Sequence, residues 1–106
     1  MRHKVEEVRL TNGARGLLID VPDATVMSFQ FNFRAGSRYT KSKKIYETAH
    51  IMEHMAFGAN ARFDSEHEFE AEFTKNGAYH NASTSDMGMS YVADCADFEW
   101  DRILDL

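Results

Sequence analysis

Two histidines separated by three residues, with a glutamate directly before the second, interrupt a helix-forming run at residues 45–57: His50-Ile51-Met52-Glu53-His54. No other stretch restricts this chain as tightly. An α-helix turns about 100° per residue, so with Ile45 at zero His50 falls near about 140°, Glu53 near 80° and His54 near 180°. One sector of about 100° then carries two imidazoles and a carboxylate. Ile45, Ala49, Met52 and Ala56 gather near about 10° on the same wheel. That stripe predicts a helix packed by its apolar side, with His50, Glu53 and His54 presented on another face between Tyr46 and Phe57. Two neutral imidazoles one helical turn apart form a metal-ligand pair, and the adjoining glutamate is a candidate general base. With five histidines in 106 residues, such a window is expected about 0.02 times by chance. The plain alternative is a helix whose histidines merely lie at a packed boundary.

Strand and turn signals surround this helix. Val5–Leu10 alternates loosely, and Asn12-Gly13 predicts a hairpin in which both residues tolerate positive φ, with 16–21 as the returning strand and Pro22-Asp23 as its break. Residues 24–34 alternate cleanly and predict a central strand whose Phe29, Phe31 and Phe33 pack against helices. Residues 36–44 read as a loop, and Gly58 as a helix end of positive φ. Ser65 with Glu68 three residues on forms a capping box for a second helix from Asp64 or Ser65. Phe69 and Phe73 bury together on it, and Asn76-Gly77 closes it. Its glutamates, Glu66, Glu68, Glu70 and Glu72, and His67 read as a solvated face. Residues 79–85 and 89–96 read as two strands joined around Asp86-Met87-Gly88. Asp97 is positioned to cap a third helix from Phe98, with Trp100, Ile103 and Leu104 as buried candidates. Helices and strands are mixed without strict alternation, which predicts an α+β fold: an antiparallel-rich sheet with packed helices. The last helix lacks a C-terminal signal, so residues 1–106 read as one partial domain.

Composition narrows the function classes. At 43% hydrophobic and 27% charged, with one proline, the chain is neither disordered nor low in complexity. A net charge of −5 speaks against a nucleic-acid partner, and Lys41, Lys43 and Lys44 read as a solvated loop. No membrane partner is expected, because no apolar run is long enough to span a bilayer and no signal peptide opens the chain. The single cysteine, Cys95, rules out an internal disulfide and fits a reducing, cytoplasmic setting. It lies in a predicted strand and reads as a small packed hydrophobe.

The H-x-x-E-H order is that of inverzincins, reversed from the H-E-x-x-H zincins. With it come Phe33-Arg34-Ala35-Gly36-Ser37-Arg38-Tyr39 before the helix, Met55-Ala56-Phe57-Gly58 after it, Asn81-Ala82-Ser83-Thr84-Ser85 downstream and Leu104-Asp105-Leu106 at the end. In that order, over nearly the whole chain, the sequence resembles the pitrilysin family of zinc peptidases, which includes insulin-degrading enzyme and the mitochondrial processing peptidases. One departure stands out. The family usually has a small residue, often glycine, shortly before the first histidine, and here Tyr46-Glu47-Thr48-Ala49 fills that stretch.

The resemblance implies a metalloendopeptidase half in which Zn2+ is held by His50 and His54, with Glu53 as the base that takes a proton from the attacking water. It implies a third zinc ligand, a glutamate lying past Leu106, so these 106 residues alone are expected to bind zinc loosely, or only with a borrowed ligand, and to lack appreciable peptidase activity. It also implies that the strand carrying Asn81 and Ala82 lies at a sheet edge and pairs with extended peptide substrates. For Asn81, a side chain bonded to its own backbone is an equal alternative. His80 is expected to face the core or solvent. The implied partners are a peptide or protein substrate and the remainder of the peptidase, in the same chain or in another subunit. Two other readings remain: a non-catalytic peptidase-like binding module, and a domain held together by a structural zinc, although structural sites favour four closed, cysteine-rich ligands.

Overall fold

Alternation of apolar and polar residues with turn residues between them produces two separate antiparallel sheets in this chain, seen in a computed structural model that describes residues 2–106. The first is a hairpin of β1 (Lys4–Arg9) and β2 (Arg15–Asp20), in register from Lys4 opposite Asp20 to Arg9 opposite Arg15. Its turn differs from the Asn-Gly expectation. Only Gly13 has positive φ, at 90°. The Asn12 side chain instead accepts the Ala14 N–H at 3.0 Å, closing a wider loop that begins at Leu10.

The second sheet holds β3 (Val26–Phe33), β4 (Tyr79–Thr84) and β5 (Met89–Ala96) in the order β3-β5-β4. The central strand is β5, because it hairpins with β4 and also takes β3 on its other side. This corrects the central place expected for β3, which is an edge here. The helices cover only part of its aromatic face: Phe29 packs against the core while Phe31 and Phe33 are exposed.

Three helices lie against this sheet. Helix α1 (Thr48–Ala56) meets β4 and β5, α2 (Glu66–Lys75) meets β4, and α3 (Trp100–Asp105) meets β5. Helix α1 is shorter than the predicted 45–57 run. Residues 43–45 form a separate 3-10 turn capped by the Ser42 side chain, and the Thr48 hydroxyl bonds back to the Ile45 carbonyl at 2.6 Å. Gly58 does not take positive φ; α1 ends on a tightened turn in which the Gly58 N–H donates to the Met55 carbonyl.

Helix α2 begins as the capping box predicts. The Ser65 hydroxyl accepts the Glu68 N–H at 3.2 Å, but the Glu68 carboxylate reaches one residue further back, to the Asp64 N–H at 2.9 Å. Gly77, at φ 65°, closes the helix. Asp97 caps no helix. It lies within a 3-10 turn over 97–99, its N–H donating to the Thr25 carbonyl, and α3 follows without a side-chain cap.

The core forms where α2 and α3 close on β5. Phe69, Phe73, Cys95 and Ile103 are buried together, with Phe29, Phe57, Phe63 and Ala93 packed around them. Phe69 and Phe73 meet edge to face at 5.4 Å, a geometry the aromatic quadrupole favours. Trp100 and Leu104, expected inside, are exposed: six residues of helix bury only the side that carries Ile103. The observed class is the expected α+β arrangement of antiparallel sheets and helices.

Candidate functional site

Helix α1 does not pack by its most apolar side. Ile51 and Met52 are each 57% exposed and Met55 is 70% exposed, whereas Ala49 is buried and Glu53 and Phe57 are half-buried. The line facing the sheet is therefore Ala49, Glu53, Phe57, spaced by four residues as a single helix face requires. Two side chains explain the choice. Small Ala49 allows a close approach, and the Thr84 hydroxyl on β4 donates a short hydrogen bond to Oε2 of Glu53, drawing that carboxylate under the helix.

His50 and His54 stand on the shoulder of the same helix, as the wheel predicts. Their rings lie 4.8 Å apart by centroid and their Nε2 atoms converge to 3.1 Å. Two nitrogens on one tetrahedral zinc, each at about 2.0–2.1 Å, lie about 3.3 Å apart. The observed separation of the two Nε2 atoms is close to that spacing. The Nδ1 of His50 lies 3.0 Å from Oε2 of Glu47. Among the described residues no group of three or more His, Cys, Asp or Glu is placed to hold a metal.

Across from the histidines, alternation along β4 sends His80, Ala82 and Thr84 toward the helices and leaves Tyr79, Asn81 and Ser83 exposed. A notch opens between α1, α2 and β4, lined by Glu53, His54, Phe57, Glu66, Glu70, His80, Asn81 and Ala82. It brings together the expected base, one expected ligand and both expected substrate-binding residues. His50 sits outside that lining. Asn81 accepts the Ala82 N–H through Oδ1 at 2.8 Å, the backbone-bonded arrangement weighed for it above.

His80 faces neither solvent nor the metal pair. Its ring stacks on Phe57 at 4.7 Å and leans on Phe73 at 4.4 Å, with Nε2 3.9 Å from a Glu70 carboxylate oxygen. Glu66 and Glu70, expected to be only a solvated face, form one wall of the notch. Beneath lies Tyr91, whose phenol is pushed above its ordinary ionisation range by burial and then by the negative charge of Glu53.

Sequence reasoning gave no role to Thr84 or Glu47, and it placed His80 at the core or solvent without seeing its place beside the notch. Glu47 was readable as an i, i+3 partner of His50. Thr84 and His80 were readable as alternate positions on one strand face. Cys95 is buried in β5 as expected, and burial, followed by the charges of Glu99 and Asp94, keeps its thiol protonated above the usual range. No helix among the described residues is long and apolar enough to cross a membrane.

Comparison with known proteins agrees with this architecture. A protease from Helicobacter pylori superposes with a TM-score of 0.85 at 25% identity, covering 97% of this chain and 24% of that one. The chain is 28% identical over 93 residues to the Insulin-degrading enzyme-like 2 of Arabidopsis thaliana, and 27% identical over 84 residues to the A-factor-processing enzyme of Saccharomyces cerevisiae. Those alignments cover 88% and 79% of this chain but only 10% and 8% of the two relatives. Residues 17–106, which run from β2 through the helix of the paired histidines to the last residue of the chain, match the family model described as Insulinase (Peptidase family M16), and the chain belongs to that family.

Proposed function

We propose that this chain supplies the base and two metal ligands of a zinc-dependent endopeptidase acting on extended peptides. The observation that carries this reading is the convergence of the His50 and His54 Nε2 atoms beside Glu53, in a member of a peptidase family. His50 and His54 would hold the zinc; a further protein ligand, which a catalytic site needs, would come from outside these 106 residues. When bound there, zinc supplies Lewis acidity toward a peptide carbonyl and makes a neighbouring water acidic. Glu53 accepts that water's proton and passes it to the leaving amine. Thr84 engages Oε2 of Glu53, which leaves the other carboxylate oxygen to take the proton and restrains the base to one orientation.

The substrate would add as a further strand along β4, the edge opposite β3. Strand addition gives backbone hydrogen bonds without requiring a particular sequence. Asn81 and Ala82 sit at that edge, and a substrate carbonyl would compete with the Asn81 side chain for the Ala82 N–H. A binding module without catalysis would have no need of a base held beside two converging imidazoles.

Glu53→Gln keeps the shape of the side chain and removes its basicity. In the peptidase that carries this chain, the variant should lose hydrolysis while retaining bound zinc, measured by peptide turnover and metal content. Normal turnover would refute the assignment of Glu53 as the base.

A further inference from the structure

Glu47 occupies the N-cap of α1, where serine, threonine, aspartate or asparagine would ordinarily hold the first free N–H groups. Its side chain caps nothing. The carboxylate turns along the helix to His50 instead, with Oε2 3.0 Å from Nδ1. We propose that Glu47 is a positioning residue for the metal pair: it fixes His50 as the Nδ1–H tautomer and so leaves the Nε2 lone pair free toward His54.

The donor inventory requires this assignment. An ionised carboxylate only accepts hydrogen bonds, so Nδ1 of His50 must carry the hydrogen of that contact. A neutral His50 then has no hydrogen on Nε2. The 3.1 Å contact between the two Nε2 atoms needs one donor, and His54 is the ring left to provide it. The two histidines are therefore unequal: His50 is already set as a ligand, while His54 must move its hydrogen to Nδ1 to become one. A carboxylate behind a ligating imidazole fixes the ring and raises its basicity, and removing such a partner commonly costs about 10–100-fold in metal affinity. Glu47 and His50 are each about half exposed, at 51% and 53%. A surface pair of that exposure adds little to stability, so its effect is to be sought in the ring and the metal.

This inference rests on the zinc reading, and the experiment separates the two. Long-range 1H–15N correlation spectra of the labelled chain, recorded at about pH 8 where imidazoles are neutral, report the tautomer of each ring without metal. The unaltered chain should show His50 protonated at Nδ1. Glu47→Ala should release it to a tautomer mixture and weaken zinc binding about 10-fold or more, read by competition with a chromophoric chelator. Glu47→Gln keeps an acceptor oxygen and should fall between the two, with both variants retaining the far-UV spectrum of the parent. A His50 tautomer or a zinc affinity that Glu47→Ala leaves unchanged overturns the role of Glu47. Zinc uptake by the peptidase that carries this chain, if unaffected by replacing His50 and His54 together with alanine, overturns the zinc reading beneath it.

Discussion

Replacing Gly36 by alanine adds one methyl group at a place with no room for it. Gly36 closes the segment between β3 and the 3-10 turn over 37–39, against the turn that joins β4 to β5. Its φ is extended, −179°, so the backbone tolerates any residue and sterics alone decide. A Cβ there would lie 2.4 Å from the Ser85 carbonyl oxygen and 2.6 Å from that of Asp86. Ordinary contact begins about 1 Å further out, and both obstacles are backbone atoms that cannot rotate away. The Asp86 carbonyl also accepts the Arg38 N–H at 3.0 Å, so its retreat breaks that bond. Overpacking of this kind costs about 1–3 kcal/mol, and one net backbone hydrogen bond adds about 0.5–1.5 kcal/mol. The expected loss is about 2–4 kcal/mol. With an m-value of about 1.5 kcal/mol/M, the urea midpoint should fall by about 1.3–2.7 M without a change in m. Gly16→Ala is the matched control, since nothing lies within 4 Å of its added Cβ, and it should cost nothing. A Gly36→Ala midpoint equal to that of the parent would refute the claim that these two turns are locked together.

Two further outcomes concern the site and the core. Thr84→Val keeps a β-branched side chain in β4 but removes the hydroxyl that holds Glu53. Hydrogen bonds to charged groups are worth about 1.5–3 kcal/mol, so kcat of the peptidase carrying this chain should drop about 10-fold or more at unchanged zinc content, and an unchanged kcat would show that Thr84 does not orient the base. Cys95 and Tyr91 both have folded pKa values raised above their ordinary 9.0 and 10.0, burial being the first cause for each. Above pH 9.0 the unfolded thiol releases its proton while the folded one keeps it, so the stability this contributes is complete below pH 9.0 and lost as pH rises through the folded pKa. Cys95→Ala should flatten the decline above pH 9 in a series of urea melts, and an identical slope would contradict it.

What was legible in the sequence is what the chain settles locally. The angular relation of His50, Glu53 and His54 follows from helical pitch alone and holds in α1. The Ser65 cap, the Gly77 termination and the limits of β5 follow from side chains acting on their own backbone, and they too match. The reading lost accuracy where a partner from elsewhere decides. The wheel predicts packing by Ile45, Ala49, Met52 and Ala56, yet only Ala49 of these is buried and the helix turns Glu53 inward, because the hydrogen-bond donor that claims it is Thr84, 31 residues away. Strand β3 reads as central from its alternating aromatics, but alternation reports a covered face and is silent on how many neighbours a strand has. Phe98, Trp100 and Leu104 have the hydrophobicity of core residues and remain exposed beside Ile103, since hydrophobicity names candidates and the packing partner selects among them.

The order of the motif and the position of β4 depend on each other. Glu53 precedes the second histidine and so lies about 60° to one side of His50, on the Ala49–Phe57 line that meets the sheet. In the opposite order the glutamate would follow the first histidine, at position 51, about 160° around the helix from Glu53. That position is taken by Ile51, which is exposed and turned away from the sheet. A carboxylate there would keep its neighbouring imidazoles but lose Thr84, and with it the strand edge where a peptide would lie. The inverted order thus lets a single helix keep His50 and His54 toward solvent while delivering Glu53, the proposed base, to β4, where the Thr84 hydroxyl meets it.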